Sequence, residues 1–241
     1  VTRQVKYSTK NENSLDLLLS LNGLPVATVE LKNHFTGQNV NNAKTQFKFD
    51  RDPRELIFQF KKRALVHFSV DSDEVHITTK LDGDKTRFLP FNKGFNNGAG
   101  NPPSDGYRTS YLWEEIWAKD SWMNILSRYL HLQVDEITID GKIYPKEALI
   151  FPRYHQLQAV RRLSSHSLVN GAGQSYLIQH SAGSGKSNTI AWLAYRLSSL
   201  HDTNDNRVFD SVIVITDRNV LDQQLQNTIY QFEHKQGVVE R

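Results

Sequence analysis

The sequence contains no cysteine, and no run of apolar residues is long enough to span a bilayer. Without cysteine there is no disulfide and no metal site built from thiolates, which fits a protein of the reducing cytoplasm. The formal net charge is only +3 over 241 residues. This balance permits nucleic-acid binding but does not argue for it.

Core-forming residues, in contrast, are abundant. The sequence is 38% hydrophobic and holds 12 Phe, 9 Tyr and 4 Trp, which excludes a chain that is disordered by composition. A chain of this length forms one large domain or two small ones.

A glycine-rich stretch, Ser-Ala-Gly-Ser-Gly-Lys-Ser, occupies residues 181–187. The apolar run 175–179 before it predicts a buried strand, and residues 188–197 after it predict a helix. Strand, glycine-rich turn, Lys-Ser and helix make up the phosphate-binding loop of proteins that use ATP or GTP. Lys186 would reach the β- and γ-phosphates, and the Ser187 hydroxyl would bind Mg²⁺.

The phosphate-binding loop departs from the general pattern at one position and lacks a partner motif. His180 stands where the pattern has its first glycine, a position that helicase-type motors often relax. The alternative is a glycine-rich turn that binds nothing. No later segment offers an Asp-Glu pair after an apolar strand, which an ATPase needs for Mg²⁺ and the attacking water. We therefore expect a fragment of a larger polypeptide and no ATP hydrolysis by residues 1–241 alone.

The first half of the chain predicts two strand pairs. The runs Leu15–Leu21 and Leu24–Leu31 flank Asn22-Gly23, a strong hairpin pattern. The runs 64–70 and 74–79 predict the second pair around a short polar turn.

The middle of the chain predicts a loop, a helical region and a connector. Residues 92–106 are too rich in Gly, Asn and Pro for regular structure. Residues 111–132 have helical periodicity, and Asp120 or Ser121 could cap a helix within them. Residues 137–150 form a polar connector with a turn at Asp140-Gly141, and we place a domain boundary there.

Helices and strands alternate after residue 151, which predicts a parallel sheet. Its strands would be 175–179 and 211–215. A last helix would follow, with one apolar face made by Leu221, Leu225, Thr228, Ile229 and Phe232.

The first predicted hairpin carries charges among its apolar residues. Glu30 and Lys32 are two residues apart, so they project from one face of a strand about 7 Å from each other, and the turn folds Asp16 back towards them. Two carboxylates so placed repel each other unless a cation such as Mg²⁺ joins them. An Asp, a spacer and Glu-x-Lys are typical of metal-dependent nucleases. The alternative is an exposed ion pair that contributes about 0–1 kcal/mol.

Four segments, in this order and spacing, resemble the restriction (motor) subunit of type I restriction-modification enzymes: 22–33, 154–160, 179–187 and 215–225. The resemblance implies a superfamily 2 DNA translocase fused to a metal-dependent endonuclease, a type I site-specific deoxyribonuclease. It also implies ATP and Mg²⁺ as cofactors, a cytoplasmic location, and double-stranded DNA with separate methylation and specificity subunits as partners. Contacts to DNA would be mainly to its backbone.

The implied architecture is α/β and has two parts. Residues 1–142 would form a mixed-sheet, restriction-endonuclease-like nuclease domain, incomplete at its start. Residues 143–241 would form a truncated part of the first RecA-like helicase domain, with its parallel sheet.

The resemblance also assigns site residues. Catalytic roles fall on Asp16, Glu30, Lys32 and Gln46, and the two carboxylates would bind the nuclease Mg²⁺. The family has a Tyr four residues after this Gln, but Asp50 stands there, so no Tyr role is transferred. Gln156 would hydrogen-bond adenine, and Ser187 would bind the Mg²⁺ of ATP. The implied ATP-binding residues are Arg153, Gln156, Ala182, Gly183, Ser184, Gly185, Lys186 and Ser187.

Two other interpretations stay open. The chain could be a nucleotide-binding, DNA-remodelling module in which the Asp-Glu-Lys cluster is structural. It could also be a repair helicase-nuclease with the same sites but without methylation and specificity partners.

Overall fold

A tight hairpin lies at the centre of the first sheet. In the computed structural model, which describes residues 1–216 together with Gln226 and Ile229, strand β2 (Ser14–Leu21) pairs antiparallel with β3 (Leu24–Leu31). The turn between them places Asn22 at φ 49° and Gly23 at φ 81°. Two successive positive φ angles are the geometry that Asn-Gly favours, because its twist matches that of the strands. The predicted hairpin is confirmed.

Six strands form the first sheet in the order β1-β2-β3-β4-β5-β6. The β3–β4 pair is parallel and the other pairs are antiparallel, so the sheet is mixed as predicted. The parallel pair requires a crossover, and helix α1 (Val40–Phe49) lies within it. The other strands are β1 (Thr2–Lys6), β4 (Val66–Val70), β5 (Val75–Thr78) and β6 (Leu89–Pro90).

Both faces of this sheet are covered by aromatic side chains. On one face, Phe47 of α1 packs against His67 of β4, with ring centroids 5.6 Å apart. On the other face, Phe68 contacts Trp117, Trp122 and Phe151. Successive residues of a strand point to opposite faces, so the neighbours His67 and Phe68 serve the two sides of the sheet.

His67 is a buried histidine that has a structural role. Its Nδ1 lies 2.7 Å from the hydroxyl oxygen of Thr28, its register partner on β3. Burial lowers the pKa of His67 to about 3. The ring is therefore neutral at physiological pH and belongs to the core.

The helical region after residue 110 has an irregular start. A π-helical turn spans Leu112–Ile116, and helix α2 spans Lys119–Arg128. The predicted cap at Asp120 or Ser121 is wrong, because these two residues lie inside the first turn of α2. The amide of Trp122 already donates to the carbonyl of Ala118, which is the N-cap. Burial of Trp122 fixes this earlier start.

The chain divides into two compact units. The first comprises Val1–Leu130 and Ala148–Arg153, and the second comprises His131–Glu147 and Tyr154–Arg241. Residues expected to be a polar connector belong instead to a hairpin. Its first strand is β7 (His131–Ile139) and its second is β8 (Lys142–Ile150). Its turn lies at Asp140-Gly141 as predicted, and both residues have positive φ.

The second unit contains two packed helices, α3 (Tyr154–Asn170) and α4 (Lys186–Ser198). The predicted strands 175–179 and 211–215 are wrong, because neither segment joins a sheet among the described residues. Strands are stabilised by cross-strand pairs, and these two segments have no partner strand among the described residues. Their apolar side chains stay in solvent: Leu177 is 92% exposed and Ile215 is 89% exposed. The described residues therefore contain no parallel sheet in this unit.

The predicted last helix and the motif at 217–225 lie outside the described residues, apart from Gln226 and Ile229. No helix in the described part of the chain is both long and apolar enough to cross a membrane.

Candidate functional site

A row of polar residues crosses five neighbouring strands of the first sheet, β1 to β5. The strand register pairs Glu30 with Ser69 and Ser69 with His76. The registers of the β1–β2 and β2–β3 pairs place Gln4 opposite Asp16 and Asp16 opposite Glu30. Side chains in one such row point to the same face of a sheet. The register thus aligns these five residues on the face that α1 covers.

Glu30 is the central and most buried member of the row. Its residue is 0% exposed, and its Oε1 accepts hydrogen bonds from Nε and Nη2 of Arg51, both at 2.7 Å. Its Oε2 is buried and has no hydrogen-bond partner. Burial raises the pKa of Glu30 to about 7, and the Arg51 guanidinium opposes this rise. The carboxyl group therefore changes charge close to neutral pH.

Asp16 and Lys32 lie within electrostatic reach of Glu30. The negative charge of Asp16 raises the pKa of Glu30, and the positive charge of Lys32 lowers it. Asp16 is held in place because its Oδ2 accepts from the amide of Leu31 at 2.8 Å and its Oδ1 accepts from Nε2 of Gln4 at 3.1 Å. Asp16 and Lys32 are half-buried, so the cluster meets solvent on their side.

Gln46 lies in the last turn of α1, four residues before the C-cap Asp50. Its Oε1 is buried and has no hydrogen-bond partner. The unpaired oxygens of Glu30 and Gln46 are unusual, because buried polar atoms are normally hydrogen-bonded.

The donor set suits a Mg²⁺ ion in part. Among the described residues there is no group of three or more His, Asp or Glu arranged to hold a metal ion. Mg²⁺ nevertheless binds through one or two carboxylates and keeps several waters, and it prefers oxygen ligands. Asp16 and Glu30 supply two carboxylates, and the Oε2 of Glu30 is unused. These residues therefore fit such an ion, with its other ligands coming from water or substrate.

The phosphate-binding loop forms the candidate site of the second unit. Gly183 has φ 71° and Gly185 has φ 80°, so the chain turns through left-handed conformations just before α4 begins at Lys186. The Nζ of Lys186 donates to the carbonyls of Ser181 at 2.9 Å and His180 at 3.3 Å. The lysine side chain therefore folds back over the loop and bonds to its carbonyls.

Gln156 of α3 braces this loop. It is 3% exposed, and its Nε2 donates to the carbonyls of Gly185 at 2.8 Å and Ser184 at 3.2 Å. Nε2 of His155 lies 3.2 Å from the same Ser184 carbonyl, which requires the tautomer that carries a proton on that nitrogen. The structure thus joins α3 to the loop through side chains that sequence spacing alone does not connect.

The remaining predicted ATP-binding residues differ in their surroundings. Ala182 is exposed, Ser184 is buried and Ser187 is half-buried. Arg153 is the last residue of the first unit, whereas the loop belongs to the second.

Two residues of these sites were not predicted from the sequence. Arg51 follows α1 in the polar run Asp50-Arg51-Asp52, which has no periodicity to mark a buried position. His155 is adjacent to Gln156 and carries no motif of its own. A charged residue directly after an amphipathic helix is the only pattern that could have indicated Arg51.

Replacing Gly185 with alanine should destabilise the second unit by about 1–2 kcal/mol from backbone strain alone, because an L-residue at φ +80° is disfavoured. The added Cβ would also lie 2.5 Å from Nε2 of Gln156, so the amide must move and lose its bonds to the loop. Urea unfolding of the chain measures the loss. Gly171→Ala is the control, since Gly171 has φ +69° and open space around it. Equal losses in the two variants would contradict the contact with Gln156.

Comparison with known families gives two matches. Residues 1–86 match the model of the type I restriction enzyme R protein N terminus, and residues 155–241 match that of the SWI2/SNF2 ATPase. The chain thus joins a restriction-enzyme segment to an ATPase segment. Together the two matches fit the R subunit of a type I restriction enzyme, which confirms the resemblance found in the sequence. Comparisons with curated proteins and with solved structures give no match.

Proposed function

We propose that this protein is the motor and nuclease subunit of a type I restriction-modification enzyme, coupling ATP-dependent DNA translocation to double-strand cleavage. The observation that carries the proposal is the Asp16, Glu30 and Lys32 cluster, which lies within the segment that matches the R protein N terminus. The ATPase match over the phosphate-binding loop supports the motor half.

In the nuclease half, Asp16 and Glu30 would hold Mg²⁺. When bound, such an ion polarises a phosphodiester oxygen and lowers the pKa of a bound water. Lys32 would orient the attacking water or stabilise the charge that develops on the phosphate. Arg51 fixes the Glu30 carboxylate through its Oε1 and leaves Oε2 for the ion. Gln46 presents a second unpaired oxygen and completes the proposed set.

In the motor half, the loop 182–187 would bind the phosphates of ATP. Backbone amides at the start of α4 favour anions, and Lys186 would leave its loop carbonyls for the β- and γ-phosphates. Ser187 would bind the Mg²⁺ that accompanies ATP. Gln156 and Arg153 would contact the adenine side of the nucleotide.

The proposed partners follow from this assignment. Double-stranded DNA is the substrate, and the methylation and specificity subunits would supply recognition of the target sequence in the cytoplasm. The subunit itself would contact mainly the phosphate backbone, which positions DNA without selecting a sequence.

Lys32→Ala tests the nuclease half. Lys32 is only half-buried, so its loss should leave the fold intact. In the assembled enzyme with Mg²⁺ and ATP, we expect DNA cleavage to slow about 10²-fold, since one charge-stabilising group is removed. ATP hydrolysis should stay at the wild-type rate. Lys62→Ala, an exposed lysine outside the cluster, is the matched control. Wild-type cleavage by Lys32→Ala would remove the nuclease assignment.

One observation favours the second candidate, a DNA-remodelling module with a structural cluster. Arg51 and Glu30 form a buried ion pair, which a purely structural cluster would also contain. Calorimetric titration with Mn²⁺ separates the two functions. A nuclease site should bind the ion in wild type and lose it in Asp16→Asn, whereas a structural cluster should show no binding that depends on Asp16.

A further inference from the structure

A basic cleft of about 340 Å³ opens along one side of α1. Its helix residues recur at positions 41, 44, 45 and 48, the spacing of a single helical face, and Gln46 falls outside that face. Two lysines supply the positive charge, and a histidine, two threonines and an asparagine supply hydrogen-bonding groups. These residues are Lys44, Lys48, His76, Thr45, Thr86 and Asn41.

The two lysines are available to a ligand. Within residues 1–216, neither Lys44 nor Lys48 has a carboxylate within ion-pair distance, and Lys44 Nζ donates only to Oδ1 of Asn41 at 3.2 Å. Burial lowers the pKa of Lys44, and the positive charge of Lys48 adds to this effect. Positive charge is thus concentrated in a partly desolvated cleft, where an anion is attracted more strongly than on an open surface.

The acidic neighbours of the cleft already have partners. Asp71 accepts hydrogen bonds from the amides of Val40, Asp73 and Glu74, and it also contacts His34. Glu74 contacts Nε2 of His76 at 3.3 Å. Both carboxylates raise the pKa of Lys44, but less than burial lowers it. They moderate the positive charge of the cleft without closing it.

The polar row connects the cleft with the carboxylate cluster. His76 lies in the same row as Glu30, two strands away across Ser69. Neighbouring strands are about 4.8 Å apart, so the two positions are separated by about 10 Å on one face of the sheet. Phosphates of a DNA strand advance about 3.4 Å per nucleotide along the helix axis. A strand cut at the cluster would therefore bring another phosphate to the cleft.

We propose that this cleft binds a backbone phosphate of duplex DNA close to the bond cut at the Asp16–Glu30 cluster. The inference rests on the proposed nuclease function and adds a second point of contact for its substrate. Lys44 and Lys48 would hold the phosphate, and the hydroxyls and amide beside them would complete its hydrogen bonds. Such a contact fixes the register of the strand but reads no sequence.

The test measures how DNA binding depends on salt. The 241-residue chain is titrated with a fluorescently labelled duplex in buffer without Mg²⁺ or ATP, over a series of NaCl concentrations. Each phosphate contact contributes about 0.9 to the slope of log K against log [salt]. The Lys44→Gln/Lys48→Gln variant should reduce that slope by about 0.9, because both lysines hold the same phosphate.

The control carries the same charge change at another place. Lys142→Gln/Lys146→Gln removes two exposed lysines from β8, outside the first sheet. Its slope should stay at the wild-type value. Equal slopes and affinities for the two double variants would overturn the inference, and so would a wild-type chain that does not bind the duplex. The single variant Lys48→Gln, with a slope reduced by about half as much, guards against misfolding at Lys44.

Further results separate this inference from the proposed nuclease function and from the binding of a free anion. One result is a wild-type salt dependence in the Lys44→Gln/Lys48→Gln variant together with lost DNA cleavage in Lys32→Ala. It would overturn phosphate binding in the cleft and support the nuclease function. The other result is a reduced slope in the Lys44→Gln/Lys48→Gln variant together with wild-type DNA cleavage in Lys32→Ala. It would support DNA binding in the cleft and overturn the nuclease function. Inorganic phosphate is titrated in parallel by calorimetry. Lysine-dependent phosphate binding without any lysine-dependent duplex binding would assign the cleft to a free anion and overturn the proposal.

Discussion

Replacing Arg51 with methionine should destabilise the first unit by about 3–5 kcal/mol, the usual cost of breaking a buried ion pair from one side. Arg51 is 4% exposed and is the hydrogen-bond donor to Glu30, and it also donates to the carbonyl of Ser14 at 2.8 Å. Methionine fills similar space but offers no charge. The Glu30 carboxylate would then stay in the core without a counter-ion.

The loss should depend on pH. Glu30 has a folded pKa of about 7 against an ordinary value of 4.5, so the folded state binds the proton more tightly. Its contribution to stability is therefore fully present below pH 4.5 and is lost as the pH rises through the folded value. Removing Arg51 raises the folded pKa further, because the opposing charge is gone. The Arg51→Met variant should thus lose most stability above about pH 7 and least near about pH 5.

Urea unfolding at several pH values measures both effects. The double variant Arg51→Met/Glu30→Gln removes both charges, so it should recover most of the lost stability. Arg54→Met is the matched control, because Arg54 is exposed and its ion pair is with Asp52, two residues away, and it should unfold like wild type. If Arg51→Met unfolds at the wild-type urea concentration under alkaline conditions, then Arg51 does not stabilise the buried Glu30 carboxylate.

Local patterns predicted the parts of the fold that neighbouring residues determine. Asn22-Gly23 fixes the first hairpin because its backbone preference alone selects the turn, and Gly183 and Gly185 shape the phosphate-binding loop for the same reason. The spacing of Glu30 and Lys32 predicts two charges on one face of a strand, because side chains alternate between the faces, but β3 ends at Leu31 and Lys32 follows it.

The rest depends on contacts between distant parts of the chain. Arg51 meets Glu30 across 21 residues, and Gln156 meets Gly185 across 29 residues, so no window of sequence contains either pair. The segment 175–179 has strand composition, but a strand needs neighbours, and the described residues provide none for it. Composition therefore indicated what these residues could form, and tertiary partners decided what they did form.

Replacing Lys186 with alanine should slow ATP hydrolysis by the assembled enzyme about 10³-fold, because it removes the positive charge that we propose contacts the transferred phosphate. In the structure its Nζ donates to the carbonyls of His180 and Ser181, so those two groups hold the lysine over the loop. DNA translocation should stop with hydrolysis. Lys146→Ala, an exposed lysine of the second unit, is the control and should keep the wild-type rate.

Alanine variants of Lys186 and Lys32 should separate ATP hydrolysis from DNA cleavage. Lys186→Ala should lose ATP hydrolysis, translocation and the cleavage that follows translocation, whereas Lys32→Ala should lose cleavage alone. Phosphate release and DNA cutting, measured on the same preparations, give this comparison. Full ATP hydrolysis in Lys186→Ala would show that the loop does not bind the phosphates of ATP. Cleavage that persists in Lys186→Ala after hydrolysis has stopped would show instead that the carboxylate cluster cuts without the motor, and coupling between the two activities would then have to lie elsewhere.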